Sequence, residues 1–128
     1  MPRDVYIVNK EGDTYTEGDS VLPAYSITKT MIARVILDQG IALDASVHDW
    51  ISPDICPHHL LVGQLLNHSS GLSDYGALPS YAKAIQTRQV WSDEDFAEHT
   101  LHQPLLFAPG TAFSYSNPGY FLLKRIAE

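Results

Sequence analysis

Two residues three positions apart, Ser26 and Lys29, have the side chains that nucleophilic chemistry requires. A serine hydroxyl is a weak nucleophile until a base removes its proton, and a lysine amine can act as that base only when burial or a nearby cation lowers its pKa. Residues i and i+3 lie on one face of a helix, so the Lys29 amine can reach the Ser26 hydroxyl. The spacing therefore indicates a serine activated by a lysine. Taken alone, the two residues fit equally well with a helix cap and a lysine whose stem reaches water.

The same spacing occurs a second time, at Ser80 and Lys83, and the flanking residues distinguish the two copies. The first copy is followed by TMIARVIL, an apolar stretch that predicts a buried helix and a desolvated Lys29. The second is followed by AIQTRQVW, which is polar enough to lie on the surface. Ser80 comes directly after Leu78-Pro79 and is interpreted as a helix cap. The first copy is therefore the candidate site.

A further group of polar side chains, Tyr115-Ser116-Asn117, lies in the segment PGTAFSYSNPGY, which Pro109-Gly110 marks as a loop. A phenol can relay a proton, and a carboxamide can both donate and accept hydrogen bonds with a substrate amide. Taken alone, the tripeptide is more typical of a half-buried core tyrosine and an asparagine that caps a helix.

A hairpin and several helices must position these side chains. The pattern predicts a β-hairpin over residues 5–16 and a first helix from near Ser26 to Gly40. Ser92 and Asp95 predict a capping box at the start of a later helix. The apolar stripe of the first helix is predicted to consist of Ile27, Met31, Val35 and Ile36. Further helices are predicted in IALDASVHDWI, HHLLVGQLLNHSSGL, residues 81–89, residues 93–102 and GYFLLKRIAE.

Four stretches, in this order along the chain, resemble one superfamily: YSITKT, LLNHSSGL, PLLFAPGTAFSYSNPGY and GYFLLKRIAE. The superfamily is that of the serine β-lactamases and penicillin-binding proteins, and the branch is that of the class C β-lactamases, with D-Ala-D-Ala carboxypeptidases and esterases of the same build. The resemblance implies that Ser26 is the acylated nucleophile and that its backbone N–H forms half of an oxyanion hole. It also implies that Lys29 and Tyr115 share general-base and general-acid duty, and that Asn117 binds the substrate amide.

The third motif of that family does not occur in these residues. It consists of a Lys or His followed by a small residue and Gly, and no KTG, KSG or HTG is found in the 128 residues. Because the last predicted helix stops at Glu128, we expect a partial chain. The resemblance thus implies an α+β, β-lactamase/transpeptidase-like fold, present in part as a single domain over residues 1–128. Residues 1–22 would form the hairpin region and residues 23–128 a mostly helical part.

Composition limits the partners but leaves the compartment open. The net charge of −7 and the eight scattered basic residues argue against a nucleic-acid or anionic-membrane partner. No membrane span or signal peptide is recognisable, so localisation stays open. Cys56 is the single cysteine and is expected to be a small buried hydrophobe.

The histidines do not predict a metal site. His99 and His102 share a helix face, but no carboxylate or cysteine set completes a ligand list. His68, in the structural motif NHSSGL, is interpreted as a packing and hydrogen-bonding residue. The sequence therefore predicts neither a metal nor a cofactor.

Two functions are weighed on these grounds. The first is a serine acyl hydrolase that forms an acyl-enzyme on Ser26 with a small-molecule acyl substrate: a β-lactam, a D-Ala-D-Ala peptide or an ester. The alternative is a truncated, catalytically inactive member that binds peptidoglycan-like or acyl ligands as a binding or interaction module. In either case we expect the isolated chain to self-associate, because a two-stranded hairpin is marginal in water and its exposed edge can pair with another chain.

Overall fold

A computed structural model of the chain describes residues 5–8, 11–12, 14–17 and 23–128. In the N-terminal part, strand β1 (Val5–Val8) pairs antiparallel with strand β2 (Thr14–Glu17), so that Val5 lies opposite Glu17 and Val8 opposite Thr14. The side chains of both strands lie outside the described residues. The place of the predicted hairpin in a larger sheet therefore stays a prediction.

The part of the chain from residue 23 onward is helical. Its α-helices are α1 (Thr28–Asp38), α2 (Val62–Leu66), α3 (Pro79–Thr87), α4 (Asp93–Leu101) and α5 (Asn117–Ala127). Short 3-10 turns occur at Tyr25–Ile27, Val47–Asp49 and Tyr75–Ala77. No helix among the described residues combines the length and the apolar character that crossing a bilayer requires.

The start of α4 confirms the predicted capping box. Ser92 Oγ accepts a hydrogen bond from the Asp95 N–H at 3.1 Å, and an Asp95 carboxylate oxygen accepts from the Ser92 N–H at 3.0 Å. The start of α3 differs from the prediction, because Leu78 is its N-cap residue and Ser80 lies inside the first turn. Pro79 takes the first helical position, for which its fixed φ is suited, and the helix therefore begins two residues earlier than a Ser80 cap would allow.

The helix predicted in IALDASVHDWI is wrong. This segment contains a single 3-10 turn, Val47–Asp49, whose N-cap is the extended residue Ser46. Ser46 also forms an antiparallel bridge with Leu61, and the Val47 N–H donates to the Leu60 carbonyl at 2.9 Å. The backbone groups of residues 45–47 thus form hydrogen bonds with residues 60–62. They are therefore not available for the hydrogen bonds of an α-helix.

The hydrophobic core lies where α1, α2 and α5 meet. Each fully buried aliphatic side chain in such a core stabilises the fold by about 1.5–3 kcal/mol relative to an exposed one. The fully buried aliphatic residues include Ile36, Val47, Leu60, Val62, Leu65, Leu72, Leu101, Leu122 and Leu123. Cys56 is buried as predicted, and burial raises the pKa of its thiol.

The predicted apolar stripe of α1 is wrong in its direction. Ile27, Met31 and Val35 are 68%, 60% and 42% exposed, and Ile36 is the one predicted member that is buried. The buried face instead runs through Ile32, Ala33 and Ile36, which pack against the core next to α5. Lys29 lies three and seven positions before Ile32 and Ile36, on the same face. The first turn of α1 therefore presents this lysine to α5.

Candidate active site

Ser26 lies in a 3-10 turn just before α1. The turn spans Tyr25–Ile27, and Tyr25 has a φ of 47°, a left-handed conformation that is uncommon for residues other than glycine. The Ser26 side chain is exposed. A strained turn that presents an exposed hydroxyl is the kind of backbone outlier that often occurs at functional sites.

Lys29 points from α1 toward the start of α5. Its Nζ donates a hydrogen bond to Asn117 Oδ1 at 2.7 Å, across 88 positions of sequence. The same Nζ lies 5.0 Å from the ring centroid of Tyr115 and 5.8 Å from that of Tyr120. In the described part of the chain, no hydrogen bond joins Lys29 to Ser26. The side chain is half-buried rather than enclosed in an apolar helix face.

Tyr115 is the residue that contacts the serine directly. Its hydroxyl donates to Ser26 Oγ at 3.0 Å, and its side chain is 41% exposed. The neighbouring Lys29 and, to a smaller extent, the hydrogen bond with Ser26 lower the pKa of the Tyr115 phenol. Tyr115 is therefore not the half-buried core residue that the tripeptide alone suggested.

His68 supports the segment that carries Tyr115. The Ser114 N–H donates to the His68 carbonyl at 3.0 Å, and the Ser116 N–H donates to His68 Nδ1 at 3.1 Å. The imidazole ring also lies against the Tyr115 ring, with 4.6 Å between the centroids. Because Nδ1 accepts a hydrogen bond, it carries no proton, and the ring is neutral in this arrangement. Burial and, next, the charge of Lys29 lower the pKa of His68.

Asn117 is the first residue of α5, and its side chain is not used as a cap. Ser116 is the N-cap instead, and its Oγ accepts from the Gly119 N–H at 3.2 Å. Pro118 occupies the first turn, where a missing N–H costs nothing. Because Ser116 caps α5, the Asn117 carboxamide is available for contacts with other parts of the molecule.

Asp74 is a member of the site that the sequence analysis missed. Its carboxylate accepts from the Asn117 N–H at 3.2 Å and from Asn117 Nδ2 at 3.1 Å to each oxygen. In the preceding loop, Gly71 adopts a φ of 81° and lies so close to the Phe107 carbonyl that a Cβ would stand 2.5 Å from its oxygen, so the position requires glycine. The only local signal for Asp74 was its position shortly after the LLNHSSGL stretch.

The second Ser-Lys pair makes none of these contacts. Lys83 is exposed on α3, and the Thr87 hydroxyl donates to its backbone carbonyl at 3.0 Å as an ordinary helix contact. A cavity of about 620 Å³ elsewhere in the chain, with Trp50, Phe121 and Arg125 in its lining, includes neither pair. The four predicted site residues, Ser26, Lys29, Tyr115 and Asn117, come together instead where the first turn of α1 meets the start of α5.

Comparison with known proteins identifies the family to which this arrangement belongs. A family model described as Beta-lactamase matches residues 6–128. The chain belongs to the beta-lactamase family.

Two solved structures are similar to this chain of the beta-lactamase family. It is similar to a D-stereospecific amidohydrolase from Streptomyces sp., with 28% identity, a TM-score of 0.74, and coverage of 91% of this chain and 41% of that one. It shares its fold with a penicillin binding protein from Bacillus halodurans, with 24% identity, a TM-score of 0.59, and coverage of 79% and 32%. The chain thus spans less than half the length of either protein. The β-lactamase/transpeptidase-like fold is confirmed, whereas the class C branch stays a prediction.

Proposed function

We propose that this chain carries the nucleophilic part of a serine acyl hydrolase of the class C β-lactamase type, which acts through an acyl-enzyme on Ser26. The observation that carries the proposal is the 3.0 Å hydrogen bond between the Tyr115 hydroxyl and Ser26 Oγ, formed across 89 positions of sequence. Lys29 lies beside the same phenol and lowers its pKa. A serine needs a neighbouring base with this kind of perturbed pKa in order to attack an acyl carbon.

The proton transfers of the proposed reaction follow from these contacts. Tyr115, in its phenolate form, takes the Ser26 proton while Oγ attacks the acyl carbon, and the nearby Lys29 ammonium stabilises the phenolate. The phenol then returns the proton to the leaving group, and the acyl group stays on Ser26. Water releases the acyl group in a second step, with the same phenol and amine exchanging the proton. The Ser26 backbone N–H would supply one donor for the oxyanion.

One similar solved structure supports an amide as the substrate class. It is described as a D-stereospecific amidohydrolase and is 28% identical to this chain. We therefore favour an acyl donor that presents an amide or ester next to a D-configured centre, a class that includes D-Ala-D-Ala peptides. Asn117 lies beside Lys29 and would bind the substrate amide. Because the chain covers 41% of that amidohydrolase, the activity of a longer protein is part of the proposal.

The proposed hydrolase fold includes the N-terminal hairpin as part of a larger sheet. Strands β1 and β2 pair with each other in the described part of the chain. An unaccompanied pair of strands is marginal in water, so further strands, or a second copy of the chain, would stabilise it.

Intact-protein mass spectrometry after incubation with a fluorescent penicillin and with a p-nitrophenyl ester tests the proposal. It should be applied to the chain and to the longest polypeptide that contains it. We expect a single covalent adduct that peptide mapping assigns to Ser26 and that Ser26→Ala abolishes. The absence of any adduct on the longer polypeptide, together with saturable binding of the same ligands, would instead support the inactive binding module.

A further inference from the structure

Asp74 is a charged group that the proposed reaction leaves without a role. It occupies the N-cap position of the 3-10 turn Tyr75–Ala77 but makes no side-chain cap hydrogen bond there. Asp at an N-cap normally accepts from its own turn. Here both carboxylate oxygens accept from Asn117 instead, at 3.1–3.2 Å. The carboxylate is therefore directed away from its own turn and toward the start of α5.

The chemistry of the three groups determines which way the Asn117 carboxamide faces. A carboxylate can only accept hydrogen bonds, an ammonium can only donate them, and a carboxamide does both at opposite ends. Asp74 binds the NH2 end at 3.1 Å, and Lys29 binds the oxygen end at 2.7 Å. A 180° flip of the carboxamide would set oxygen against carboxylate and NH2 against ammonium. Both contacts would then be repulsive.

We propose that Asp74 is a positioning residue that acts through Asn117. By fixing the orientation of the Asn117 carboxamide, it keeps an acceptor in front of Lys29 Nζ and so holds the amine beside Tyr115. The role deepens the proposed function above and rests on it. Among the described residues, the Asn117 NH2 donates to the Asp74 carboxylate and to no side chain of the four motif stretches.

A purely structural role for Asp74 makes a different prediction. A carboxylate near the first N–H groups of a helix also stabilises the helix terminus. In that case, removing its charge would lower the stability of α5 and leave Lys29 in place. The two roles are therefore separated by a measurement made on Lys29 itself.

Competitive lysine acetylation with mass-spectrometric readout supplies this measurement. Lys83 is exposed on α3 and serves as the internal reference within each sample. In Asp74→Asn the amide at position 74 can face Asn117 with its own NH2, and the Asn117 carboxamide is free to flip. We expect the Lys29-to-Lys83 acetylation ratio to rise by about tenfold, the effect of losing one charge-assisted hydrogen bond.

A matched control and a compensating variant sharpen the result. Asp95→Asn removes the same charge from the capping box of α4, which has no contact with Lys29, and should leave the ratio unchanged. The exchanged pair Asp74→Asn with Asn117→Asp reverses this polarity: it places a donor at position 74 and an acceptor-only group at position 117, which faces Lys29. The ratio should return to the value of the unmodified chain or below. A folded Asp74→Asn protein with an unchanged ratio would overturn the proposal.

A measurement on the unmodified chain covers the case in which the variants do not fold. Asn67 is exposed, and its side-chain NH2 donates no hydrogen bond among the described residues. By nuclear magnetic resonance, the Asn117 NH2 should exchange with water about tenfold more slowly than that of Asn67. Equal exchange rates would show that Asp74 does not hold the carboxamide. Neither readout requires turnover, so a failure to acylate Ser26 would count against the proposed function alone.

Discussion

The two Ser-x-x-Lys copies have the same spacing and very different surroundings. In the first, Lys29 donates to Asn117, and Ser26 accepts from Tyr115, both of which belong to the α5 region. In the second, Lys83 projects from the surface of α3. The difference shows that the spacing itself is not the site. A Ser-Lys pair becomes a candidate catalytic group when its helix packs against an element that supplies a phenol and a carboxamide.

The packing of the two helices explains this difference. The buried face of α1 contains Ile32 and Ile36 and continues through Lys29. Because this face packs against α5, the Lys29 side chain lies half-buried between the two helices. Ala84 is the one buried residue of α3, and Lys83, directly before it, points to solvent. Burial of a helix face on a second helix thus selects one lysine of the two.

The largest expected effect is the complete loss of acylation when the serine of the first copy is removed. Ser26→Ala should give no covalent adduct with a fluorescent penicillin or an activated ester, because the attacking oxygen is gone. Ser80→Ala should be labelled as the unmodified chain is. Mass spectrometry of polypeptides long enough to react would measure both, and label that survives in Ser26→Ala but not in Ser80→Ala would reverse the comparison.

The next largest effect is expected from removing the tyrosine hydroxyl that lies near each Ser-x-x-Lys copy, Tyr115 for the first and Tyr81 for the second. Tyr115→Phe should lower the acylation rate by about 10²–10⁴, the range for loss of general acid–base help, with little change in folding. Tyr81→Phe, next to Ser80, is the matched control and should react at the normal rate. Stopped-flow labelling with an activated ester can follow both variants, and equal rates would return Tyr115 to a role in packing.

The third prediction compares the 128 residues with a longer polypeptide that carries the family's third motif. Loss of one oxyanion donor costs about 2.7–4 kcal/mol of transition-state stabilisation, or about 10²–10³ in rate. We therefore expect the 128 residues alone to turn over a chromogenic cephalosporin or a p-nitrophenyl ester at least that much more slowly. Sustained turnover by monodisperse 128-residue protein, lost in Ser26→Ala, would contradict this expectation.

The smallest expected effect is the contribution of His68 to the pH dependence of the chain's folding stability. Its pKa in the folded chain lies below the usual 6.5 because of burial and then the Lys29 charge, although Asp74 opposes the shift. The unfolded chain thus binds a proton more readily, so His68 contributes stability above pH 6.5 that is lost as the pH falls through its folded pKa. Protonation of Nδ1 would also end the hydrogen bond from the Ser116 N–H.

A non-titrating acceptor tests this contribution. Asn tolerates the φ of 60° found at position 68 and can accept a hydrogen bond with its side-chain oxygen. In His68→Asn, the midpoint of thermal unfolding should fall less between pH 7.5 and pH 5 than it does in the unmodified chain. His99→Asn, in the region of the second copy, should keep the original fall. The same pH slope in both variants would remove His68 as the cause.

Local sequence signals predicted those features that depend on neighbours along the chain. The capping box of Ser92 and Asp95 joins two residues that are three positions apart, so the local pattern was sufficient to predict it and the helix that begins there. The Ser80 cap was wrong because a proline competed for the same helix start. The helix predicted after Gly40 was wrong because Ser46 pairs with Leu61, a contact that no local pattern contains.

The candidate site divides in the same way. Ser26, Lys29, Tyr115 and Asn117 were recognised from motif order, but their contacts depend on how α1 packs against α5. The stripe predicted for α1 pointed the wrong way, because hydrophobicity alone does not distinguish a face that meets α5 from one that remains exposed. Asp74 could not be predicted, since an aspartate after a glycine-containing turn is common and its partner lies 43 positions away.

The order in which the chain is made adds a consequence of the α1–α5 contact. A growing polypeptide carries Ser26 and Lys29 well before Asn117, 88 positions after the lysine, has been added. At about 5–20 residues per second, this interval is on the order of 4–18 s. During that time the serine has neither the neighbouring phenol nor the carboxamide that holds the lysine. In the proposed hydrolase, the Ser26 hydroxyl would therefore stay unactivated in the nascent chain until α1 and α5 have met.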